Sequence, residues 1–512
     1  MISTPILTPS ANKEPQTCSL DKLLCEGIDV LESSGGLSSV QIHDICTDSR
    51  KVHPGSMFIA IAGAKGDGLQ FLHEAIGRGV VAIVSDRDIE VPSGVCSVKV
   101  PNARDATSRL AARFHGLDQI QQRREMTSVG VTGTNGKTTV AYMVREMLRS
   151  ADRPTALFGT IEYDLVSRKT ESPLTTPDPI ELVKHLMEAH KAGARHAVLE
   201  VSSHSLDQHR TAGIVFSTAV FTNLTQDHLD YHETMDAYAG AKRRLFTDLA
   251  PDATAVVNVD DPAGDAMLST CNARVIRYGL SPEADLKADD VAPSRSGCAF
   301  KLVFRAETVT VQLNLAGMPN VYNALAAAGA GLSLGLSLET IANGLNKLER
   351  VPGRLQRIET GELGFDVFVD YAHTDDALRN VLSALRPLTE GKLWCVFGCG
   401  GDRDRAKRPK MVQAVAKGAD SFIITSDNPR TEDPMAIIAD IESGLTPEAR
   451  IRGYTEPDRE TAIDIAISRL KPGDTLLIAG KGHENYQIVG TEKFHFDDVE
   501  VADNAVQNRK RD

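Results

Sequence analysis

Residues Gly130 to Thr139 read GVTGTNGKTT, a glycine-spaced turn that ends in a lysine and two threonines. The turn follows an apolar run, Met126 to Val131, and precedes a segment with helical character. Backbone N–H groups on glycine turns, a helix N-terminus, a lysine and a hydroxyl are the groups that hold a triphosphate and its Mg²⁺. The stretch therefore predicts a phosphate-binding loop between a strand and a helix. These groups are supplied by Gly133, Gly136, Lys137 and Thr138.

The glycine spacing of this loop differs from the common pattern G-x-x-x-x-G-K. Val131 occupies the position of the first glycine, and Gly133 lies closer to the lysine. We therefore expect a variant phosphate loop. The alternative is a chance Gly-Lys-Thr in a surface turn, which requires neither the strand before it nor the helix after it.

Size and charge narrow the class of protein. A chain of 512 residues corresponds to about three domains. The 56 basic and 69 acidic residues give a net charge of −13, which argues against nonspecific nucleic-acid binding because a phosphate backbone needs a cationic surface. Eight scattered cysteines without C-x-x-C spacing indicate neither a disulfide framework nor a zinc site. A reducing cytoplasm fits this pattern best.

Neither the first residues nor the longest apolar stretch suggests a membrane protein. Residues 1–19 lack a basic region followed by an apolar one, so we expect an extension and not a secretory signal. The longest apolar stretch, Tyr322 to Leu338, is rich in glycine and alanine, and we expect a buried helix pair there.

Strand-type runs alternate with helical stretches along the chain, which predicts an α/β protein of three domains. We expect a mixed α/β domain at 20–122, a central phosphate-loop domain at 123–351 and a third α/β domain at 352–512. Near-continuous apolar strands in the central domain indicate a parallel sheet covered on both faces. The predicted strands are 57–61 and 80–85, then 128–131, 196–201, 218–222 and 253–258, and finally 365–370, 393–398, 421–425 and 474–479.

Polar groups follow two of the central strands. Glu200 ends the run LEV in LEVSSH, and His228 lies in NLTQDHLDYH after the next strand. Ligands bind outside the carboxyl ends of such strands, where a carboxylate and a histidine can hold Mg²⁺ together with the loop threonine. The spacing of His228 and His232 also suits a metal pair, but without further His or Cys ligands zinc is disfavoured. A helix N-cap is the alternative role for Glu200.

An ordered set of motifs identifies the family that the chain resembles. GTNGKTT, LEVSSH, NLTQDHLDYH, Ala241-Lys242, GMPNVYN at 317–323, VPGRLQ, DYAHT at 370–374 and GCGGDRDRAKRP at 398–409 together resemble the Mur ligases. The resemblance runs in order from about residue 20 to the end of the chain. Each motif alone is weakly specific, whereas the ordered set is strongly specific.

This resemblance implies a ligase with an N-terminal domain for a uridine nucleotide, a central ATPase domain and a Rossmann-like third domain for an amino acid. It implies that ATP phosphorylates the D-glutamyl carboxylate of UDP-N-acetylmuramoyl-L-alanyl-D-glutamate and that meso-diaminopimelate then displaces phosphate. ATP and Mg²⁺ are the implied cofactors. The implied enzyme is cytoplasmic and monomeric, acts on small molecules, and neither binds nucleic acid nor inserts into a membrane. The alternatives are the lysine-adding counterpart, a folylpolyglutamate-type ligase and a phosphate-loop switch protein that performs no ligation.

The same resemblance implies roles for residues of the central site. Lys137, Thr138, Glu200 and His228 correspond to catalytic and Mg²⁺-binding groups, and Lys242 corresponds to a carboxylated lysine. From the residues alone, Lys242 to Arg244 is equally a solvated helix face. The implied nucleotide contacts are Gly133, Thr134, Asn135, Gly136, Thr139, Asn320, Asn323, Arg354, Asp370 and His373.

Contacts to the two other substrates are also implied. For the uridine nucleotide they are Thr47, Ser49, Ala64, Lys65, Gly66, Thr175, Thr176, Ser202, Gln208 and Arg210, each of which is equally a turn or cap residue. Leu174 departs from an asparagine found in the family. For the amino acid they are Arg403, Asp427, Asn428, Pro429, Arg430, Gly480 and Glu484.

In the family that the chain resembles, the tetrapeptide Asp427-Asn-Pro-Arg430 accompanies the use of meso-diaminopimelate. Diaminopimelate carries a distal ammonium and a distal carboxylate, whereas lysine carries only the ammonium. Arg430 can fork onto the carboxylate while Asp427 and Asn428 meet the ammonium. As isolated chemistry, Asn-Pro is also a common turn opener. Asp375 replaces a proline of the family, and we expect a helix N-terminus to tolerate this carboxylate.

Overall fold

The computed structural model describes residues 17–25, 27–63 and 66–510. The chain divides into two compact units. The first contains the described residues up to Glu125 together with 177–188 and 207–215, and the second contains the described residues of 126–176, 189–206 and 216–512. None of the described helices is long and apolar enough to cross a bilayer. The eight cysteines, which all lie in the described ranges, are free thiols.

The first unit is built on a five-stranded sheet in the order β2-β7-β6-β5-β4, parallel except for β2. Its strands are β1 (Cys18–Ser19), β2 (Glu32–Ser34), β3 (Gln41–Ile42), β4 (Asp44–Cys46), β5 (Ser56–Ala60), β6 (Ala82–Ser85) and β7 (Cys96–Lys99), and its helices are α1 (Leu20–Leu23), α2 (Leu72–Gly77), α3 (Ala103–His115) and α4 (Leu117–Gln122). Helix α3 begins after Asn102, which accepts from the N–H groups of Arg104 and Asp105, and ends at Gly116, which has φ +79°.

The second unit contains an eleven-stranded sheet in the order β11-β10-β9-β12-β8-β13-β14-β15-β16-β17-β18. Its strands are β8 (Thr127–Thr132), β9 (Thr155–Phe158), β10 (Glu162–Asp164), β11 (Lys169–Glu171), β12 (His196–Glu200), β13 (Phe216–Phe221), β14 (Thr254–Asn258), β15 (Arg274–Gly279), β16 (Leu286–Ser294), β17 (Gly297–Phe304) and β18 (Glu307–Leu313). In the order of the sheet, the seven neighbouring strands β9-β12-β8-β13-β14-β15-β16 run parallel. Antiparallel strands, β10 and β11 at one edge and β17 and β18 at the other, extend the sheet.

The helices of this part of the chain are α5 (Lys137–Ser150), α6 (Pro179–Lys191), α7 (Ser203–Asp207), α8 (Leu229–His232), α9 (Met235–Thr247), α10 (Gly264–Leu268), α11 (Met318–Ser333) and α12 (Leu338–Lys347). The glycine-rich apolar stretch forms the expected buried helix α11, which leads into α12. A Cβ on Gly329 would overlap Val256 of the sheet, and one on Gly344 would overlap the backbone of Met147 in α5. The glycines therefore permit close packing of helix on sheet and helix on helix.

A second sheet of this unit has six strands in the order β19-β20-β24-β21-β22-β23, parallel except for β19. The strands are β19 (Gln356–Ile358), β20 (Asp366–Asp370), β21 (Leu393–Phe397), β22 (Ser421–Ile424), β23 (Gly453–Thr455) and β24 (Thr475–Ala479), followed by the hairpin β25 (Tyr486–Val489) and β26 (Glu492–His495). The helices are α13 (Asp375–Leu385), α14 (Lys407–Gly418), α15 (Pro434–Glu442), α16 (Pro447–Arg450), α17 (Arg459–Arg469) and α18 (Asp498–Arg509). Separate apolar cores form on its two faces, as in a doubly wound sheet.

The predicted α/β class is confirmed, and each predicted strand has a counterpart within two residues of its expected bounds. Strands β16 to β18 were not predicted. In β18, ETVTVQL, buried and exposed side chains alternate and four of seven are exposed, so no continuous apolar run marks it. The short strand β9 was also missed, and this omission matters for the site.

Candidate active site

A cavity of about 340 Å³ lies in the second unit at the carboxyl ends of β8 and β12. It gathers the predicted catalytic and nucleotide-facing residues, apart from Gly133, which adjoins it through its carbonyl. The side chains and loop residues that line it include Thr134 to Thr139, Glu200, His228, Lys242, Asn320, Asn323, Arg354, Asp370 and His373. The predicted set is therefore a contiguous site in space.

The phosphate loop connects β8 to α5 and uses its glycines for conformation and space. Gly136 has φ +87° and directly precedes α5, and a Cβ there would overlap the side-chain oxygen of Asn323. A Cβ on Gly133 would overlap the Thr222 hydroxyl. The Lys137 ammonium donates to the carbonyls of Gly133 (3.0 Å) and Thr134 (2.9 Å). Desolvation lowers the pKa of Lys137, and the nearby Glu200 opposes this change.

Glu200 is the buried carboxylate of the site. Its Oε2 accepts from the hydroxyls of Thr138 (2.9 Å) and Thr160 (3.1 Å), and its Oε1 accepts from the Thr160 N–H (2.9 Å). These bonds differ from the alternative role of a helix N-cap. A carboxylate beside a phosphate-loop hydroxyl is an oxygen donor set that suits Mg²⁺, which prefers one or two carboxylates together with phosphates.

Thr160 is a site residue that the sequence argument missed. It follows β9 through Gly159, where a Cβ would overlap the Glu200 carboxylate. The Thr160 hydroxyl also lies 3.1 Å from that of Thr175. The rule that polar residues after parallel strands face the ligand would have selected Thr160, had β9 been recognised.

His228 lies in a left-handed backbone conformation, φ +52°, at the start of α8. Its Nε2 is 3.5 Å from Asp227 Oδ2. Desolvation lowers the pKa of His228, so the ring is neutral near pH 7, as a metal ligand must be. His232 Nε2 lies 2.9 Å from the Ser203 hydroxyl. Among the described residues, no group of three or more His, Cys, Asp or Glu side chains forms a metal site.

Lys242 is buried, whereas its neighbours Arg243 and Arg244 are exposed. Its ammonium donates to the Gly133 carbonyl (2.8 Å) and lies 4.3 Å from the Tyr238 ring centroid. Burial, followed by the proximity of Lys137, lowers the pKa of Lys242 well below its ordinary value. The alternative of a solvated helix face therefore does not describe this lysine.

The sheet that begins at β19 supplies one wall of the cavity. Arg354 donates from Nη2 to the Thr138 hydroxyl (3.1 Å). Asp370, at the end of β20, accepts from the N–H groups of Leu355 (2.7 Å) and Ala372 (2.8 Å), and burial raises its pKa. The exposed His373 directs Nδ1 toward the Tyr371 carbonyl at 2.8 Å. Two separately predicted groups of residues thus meet at the phosphate loop.

A cluster of hydrogen-bonded polar side chains, here called the polar cluster after β22, surrounds the tetrapeptide that follows this strand. Asn428 donates to Glu484 Oε2 (2.9 Å) and accepts from the Ile488 N–H (2.9 Å) and the Lys481 ammonium (3.3 Å). Burial, followed by the proximity of Asp427, raises the pKa of Glu484. Lys481 is fully buried and was not predicted. Its position between the predicted Gly480 and Glu484, in the run GKGHE at 480–484, is the signal that could have identified it.

The remaining predicted residues of this polar cluster lie around Arg430. Arg430 has φ +52° and donates to the Gly401 carbonyl (2.8 Å). A Cβ on Gly400 would lie 2.9 Å from Arg430 Nη1 and 3.7 Å from Arg403 Cγ, so both arginines border that glycine. A Cβ on Gly480 would come within 2.7 Å of Asp427 Oδ2. Pro429, which directly precedes Arg430, is buried, and its fixed φ directs the turn.

The residues predicted for the uridine nucleotide fall in both units. In the second unit, Thr176 donates to the Glu200 carbonyl (2.8 Å) and accepts from the Ser202 N–H (3.2 Å), close to Thr175. In the first unit, Ser49 donates to Glu74 (2.6 Å) and Arg210 donates to Gln208 (2.8 Å). Thr47 and Gly66 are exposed there, and Leu174 is 40% exposed in the second unit. Ala64 and Lys65 lie outside the described residues.

Three family models match the chain in order. They are described as "Mur ligase family, catalytic domain" at residues 41–125, "Mur ligase middle domain" at 131–331 and "Mur ligase, glutamate ligase domain" at 353–482. A UDP-N-acetylmuramoyl-L-alanyl-D-glutamate–2,6-diaminopimelate ligase from Geobacter sulfurreducens is 44% identical over 499 residues, covering 94% of this chain and 97% of the relative.

Solved structures agree with these matches. A structure of a UDP-N-acetylmuramoyl-L-alanyl-D-glutamate–2,6-diaminopimelate ligase is 35% identical with a TM-score of 0.69, covering 96% of this chain and 99% of the other. The folylpolyglutamate synthase of Mycobacterium tuberculosis, complexed with ADP and AMPPCP, is 21% identical with a TM-score of 0.58, covering 73% of this chain and 92% of the other. That second likeness shows a shared fold alone.

The family models and the relative that is 44% identical show that this chain is an ATP-dependent ligase. The chain belongs to the Mur ligase family.

Proposed function

We propose that this enzyme joins meso-diaminopimelate to the D-glutamyl carboxylate of UDP-N-acetylmuramoyl-L-alanyl-D-glutamate, with ATP as the energy source. The observation that carries the proposal is the polar cluster after β22, where the Arg430 guanidinium lies two residues from Asn428, whose amide bonds the Glu484 carboxylate of a distant segment. Arg430 offers a planar fork for a carboxylate, and Asn428 with Glu484 offers acceptors for an ammonium. The relatives described above carry the same activity in their names.

The reaction proceeds in two balanced displacements. A carboxylate oxygen of the D-glutamyl residue attacks the γ-phosphorus of ATP, the bond to the β-phosphate bridging oxygen breaks, and ADP leaves. The neutral amine of diaminopimelate then attacks the acyl carbon, loses a proton, and expels inorganic phosphate with the former carboxylate oxygen. The products are the amide, ADP and phosphate.

The main barrier to the first displacement is electrostatic, because two anions must approach each other. Lys137 and the N–H groups of residues 134 to 139 would balance the phosphate charge at the N-terminus of α5. In the structure the Lys137 ammonium bonds its own loop, so the triphosphate replaces two carbonyl partners of that ammonium. Arg354 lies beside Thr138 and would hold the terminal phosphate from the opposite side.

Mg²⁺ is proposed as the second cofactor. Thr138, Glu200 and His228 supply oxygen donors and a neutral imidazole, which fit such an ion. When bound, Mg²⁺ supplies charge neutralisation between the carboxylate and the phosphates. Thr160 holds Glu200 in place through two hydrogen bonds, so its role here is to orient that ligand.

Lys242 is proposed to be carboxylated. A lysine amine adds to CO₂ only when neutral, and burial favours that neutral form. The nitrogen attacks the carbon of CO₂ and loses a proton, which gives a carbamate anion beside the phosphate loop. In ¹³C NMR with labelled bicarbonate, we expect a carbamate carbon signal that Lys242→Arg abolishes. A signal that persists in the variant would place the modification on another amine.

The deciding experiment measures phosphate release from ATP with UDP-N-acetylmuramoyl-L-alanyl-D-glutamate and either meso-diaminopimelate, L-lysine or no amino acid. We expect kcat/KM for meso-diaminopimelate to exceed that for L-lysine by about 100-fold, since charged hydrogen bonds to the distal carboxylate contribute about 1.5–3 kcal/mol each. Equal or greater turnover with L-lysine would contradict the assigned substrate. Turnover with glutamate and a folate in place of both substrates would support the folylpolyglutamate-type alternative.

We further propose that the enzyme is a cytoplasmic monomer. Free thiols at all eight cysteines suit a reducing compartment. Light scattering during size-exclusion chromatography tests the oligomeric state. A mass near twice the 55.2 kDa of one chain would refute the monomer.

A further inference from the structure

Asp376, in the first turn of α13, contacts the phosphate loop although the residue beside it attracted attention in the sequence. Its Oδ2 accepts from the Asn135 side-chain amide (3.3 Å), the Thr225 hydroxyl (2.7 Å) and the Asn380 side-chain amide (3.0 Å). Asn135 belongs to the phosphate loop, and Thr225 belongs to the loop after β13. One carboxylate oxygen therefore joins two loops of the eleven-stranded sheet to a helix of the other sheet.

The backbone of Asn135 is held from the opposite side. Its N–H donates to the Asn223 side chain (2.9 Å), and its carbonyl accepts from the Thr222 hydroxyl (2.6 Å). The Asn135 side chain, by contrast, reaches Asp376 and the Thr225 hydroxyl. Asp376 thus gives the Asn135 side chain a charged acceptor in addition to the Thr225 hydroxyl.

We propose that Asp376 is a positioning residue for the nucleotide, which orients the phosphate loop through Asn135 and Thr225. The backbone N–H groups that follow Asn135 must converge on the phosphates, so a shift of this residue reduces the number that can bind at once. Asn380, one turn later in α13, donates to the same oxygen and holds the carboxylate in its rotamer. The inference rests on the proposed nucleotide site and not on the identity of the amino acid.

The neighbouring Asp375 is a matched control. Both carboxylates lie in the first turn of α13, and removing either takes one favourable charge from that helix N-terminus. The half-buried Asp375 carboxylate, however, pairs with Arg379 (2.7 Å) of the same helix. A difference between the two alanine variants therefore reports contacts of Asp376 and not the helix dipole.

The experiment measures the Kd for ATP by calorimetry and the KM for each substrate in Asp376→Ala, Asp376→Asn and Asp375→Ala. We expect Asp376→Ala to raise the Kd for ATP about tenfold, since two donors lose a charged acceptor, while the KM for meso-diaminopimelate changes less than about twofold. Asp376→Asn keeps one acceptor oxygen, and its Kd should lie between those of the wild type and the alanine variant. Asp375→Ala should bind ATP like the wild type.

A double variant tests the route through the loop. In an Asn135→Ala background, we expect Asp376→Ala to weaken ATP binding by a smaller factor than in the wild type, since one shared contact is already gone. Multiplicative effects, or a Kd for Asp376→Ala equal to that of Asp375→Ala, would overturn the inference and leave the nucleotide site intact. A wild-type enzyme that binds no ATP would instead overturn the nucleotide site and this inference with it. Thermal melting of each variant confirms that the compared proteins are folded.

Discussion

At the scale of single residues, burial and hydrogen-bond partners set the pKa values of two lysines. Lys242 and Lys481 are both buried, and burial lowers the pKa of each. Lys242 bonds a backbone carbonyl, whereas Lys481 bonds a side-chain amide and lies 3.8 Å from Glu484. A buried ammonium is stable only with such partners, so each lysine also orients the groups around it.

The substitution Arg430→Lys tests the geometry of the polar cluster after β22 through a single residue. We expect kcat/KM for meso-diaminopimelate to fall about 10- to 100-fold, because an ammonium cannot form the two parallel bonds of a guanidinium to a carboxylate. Arg405→Lys is the matched control, since Arg405 pairs with Glu432 (3.0 Å) on the surface. Steady-state kinetics with both variants provide the measurement, and an unchanged kcat/KM in Arg430→Lys would rule out the proposed contact.

His196 makes stability depend on pH. Desolvation lowers its folded-state pKa to about 4, and Nδ1 lies 2.6 Å from the Thr127 hydroxyl. In the unfolded chain the pKa returns to about 6.5, so between these values the unfolded state binds a proton that the folded state does not. The contribution of His196 to the free energy of unfolding is therefore fully present above about pH 6.5, and it is lost as the pH falls toward about 4.

The measurement compares urea unfolding of the wild type and His196→Gln at about pH 8 and about pH 5.5. We expect the wild type to lose about 1.4 kcal/mol more than the variant on acidification, because the variant has no group to protonate at this position. Equal losses in the two proteins would show that the imidazole does not titrate as described.

At the scale of elements, the glycines of α11 and α12 determine how closely helices pack. Gly331 lies against Ile341, and Gly344 lies against the backbone of Met147 in α5. A flexible side chain can move away from an added methyl group, whereas a helix backbone cannot. The position of α5, and with it the start of the phosphate loop helix, therefore depends on the absence of a side chain in α12.

Gly344→Ala should lower the free energy of unfolding by about 1–3 kcal/mol, because the new methyl group overlaps Met147 Cα. Gly240→Ala is the control in another helix, where a Cβ meets no atom within 4 Å. We expect that variant to be unchanged or more stable by up to about 1 kcal/mol through the lower entropy of the unfolded chain. Denaturant midpoints of the two variants provide the comparison, and a Gly344→Ala protein as stable as Gly240→Ala would contradict the packing argument.

At the scale of the whole molecule, the candidate site is distributed over two sheets of the second unit. The phosphate loop and Glu200 come from the eleven-stranded sheet, while Arg354, Asp370 and Asp376 come from the region of the six-stranded sheet. Substrates that must react together are thereby surrounded by groups from two frameworks. Binding at one framework is then expected to restrict motion in the other.

Hydrogen exchange measures that expectation. ATP should slow amide exchange in segment 371–377 as well as in 133–139, because both line one cavity. The hairpin of β25 and β26 serves as the control, because its Ile488 N–H bonds Asn428 in the polar cluster after β22. Exchange in this hairpin should respond to meso-diaminopimelate instead. ATP protection confined to 133–139 would show that the two frameworks bind independently.

Much of the fold was predictable because buried parallel strands leave continuous apolar runs, as in β8, β12 and β24. Strands β16 and β18 expose part of their side chains and so left no such run, whereas β9 was missed although it is buried and as long as the predicted β6 and β22. In the second unit, most site residues named from motifs line the cavity or belong to the polar cluster after β22. Thr160, Lys481 and Asp376 were missed because their roles depend on neighbours distant in sequence.

The sequence by itself determined the phosphate loop, most of the buried parallel strands, and the kinship that the motifs indicate, since these depend on local spacing and on patterns of apolar residues. The tertiary structure alone decided which of two adjacent aspartates contacts the phosphate loop. Asp375 and Asp376 are identical in type and lie side by side, yet successive residues of a helix point in different directions. Only the packing of α13 against the loop selects Asp376.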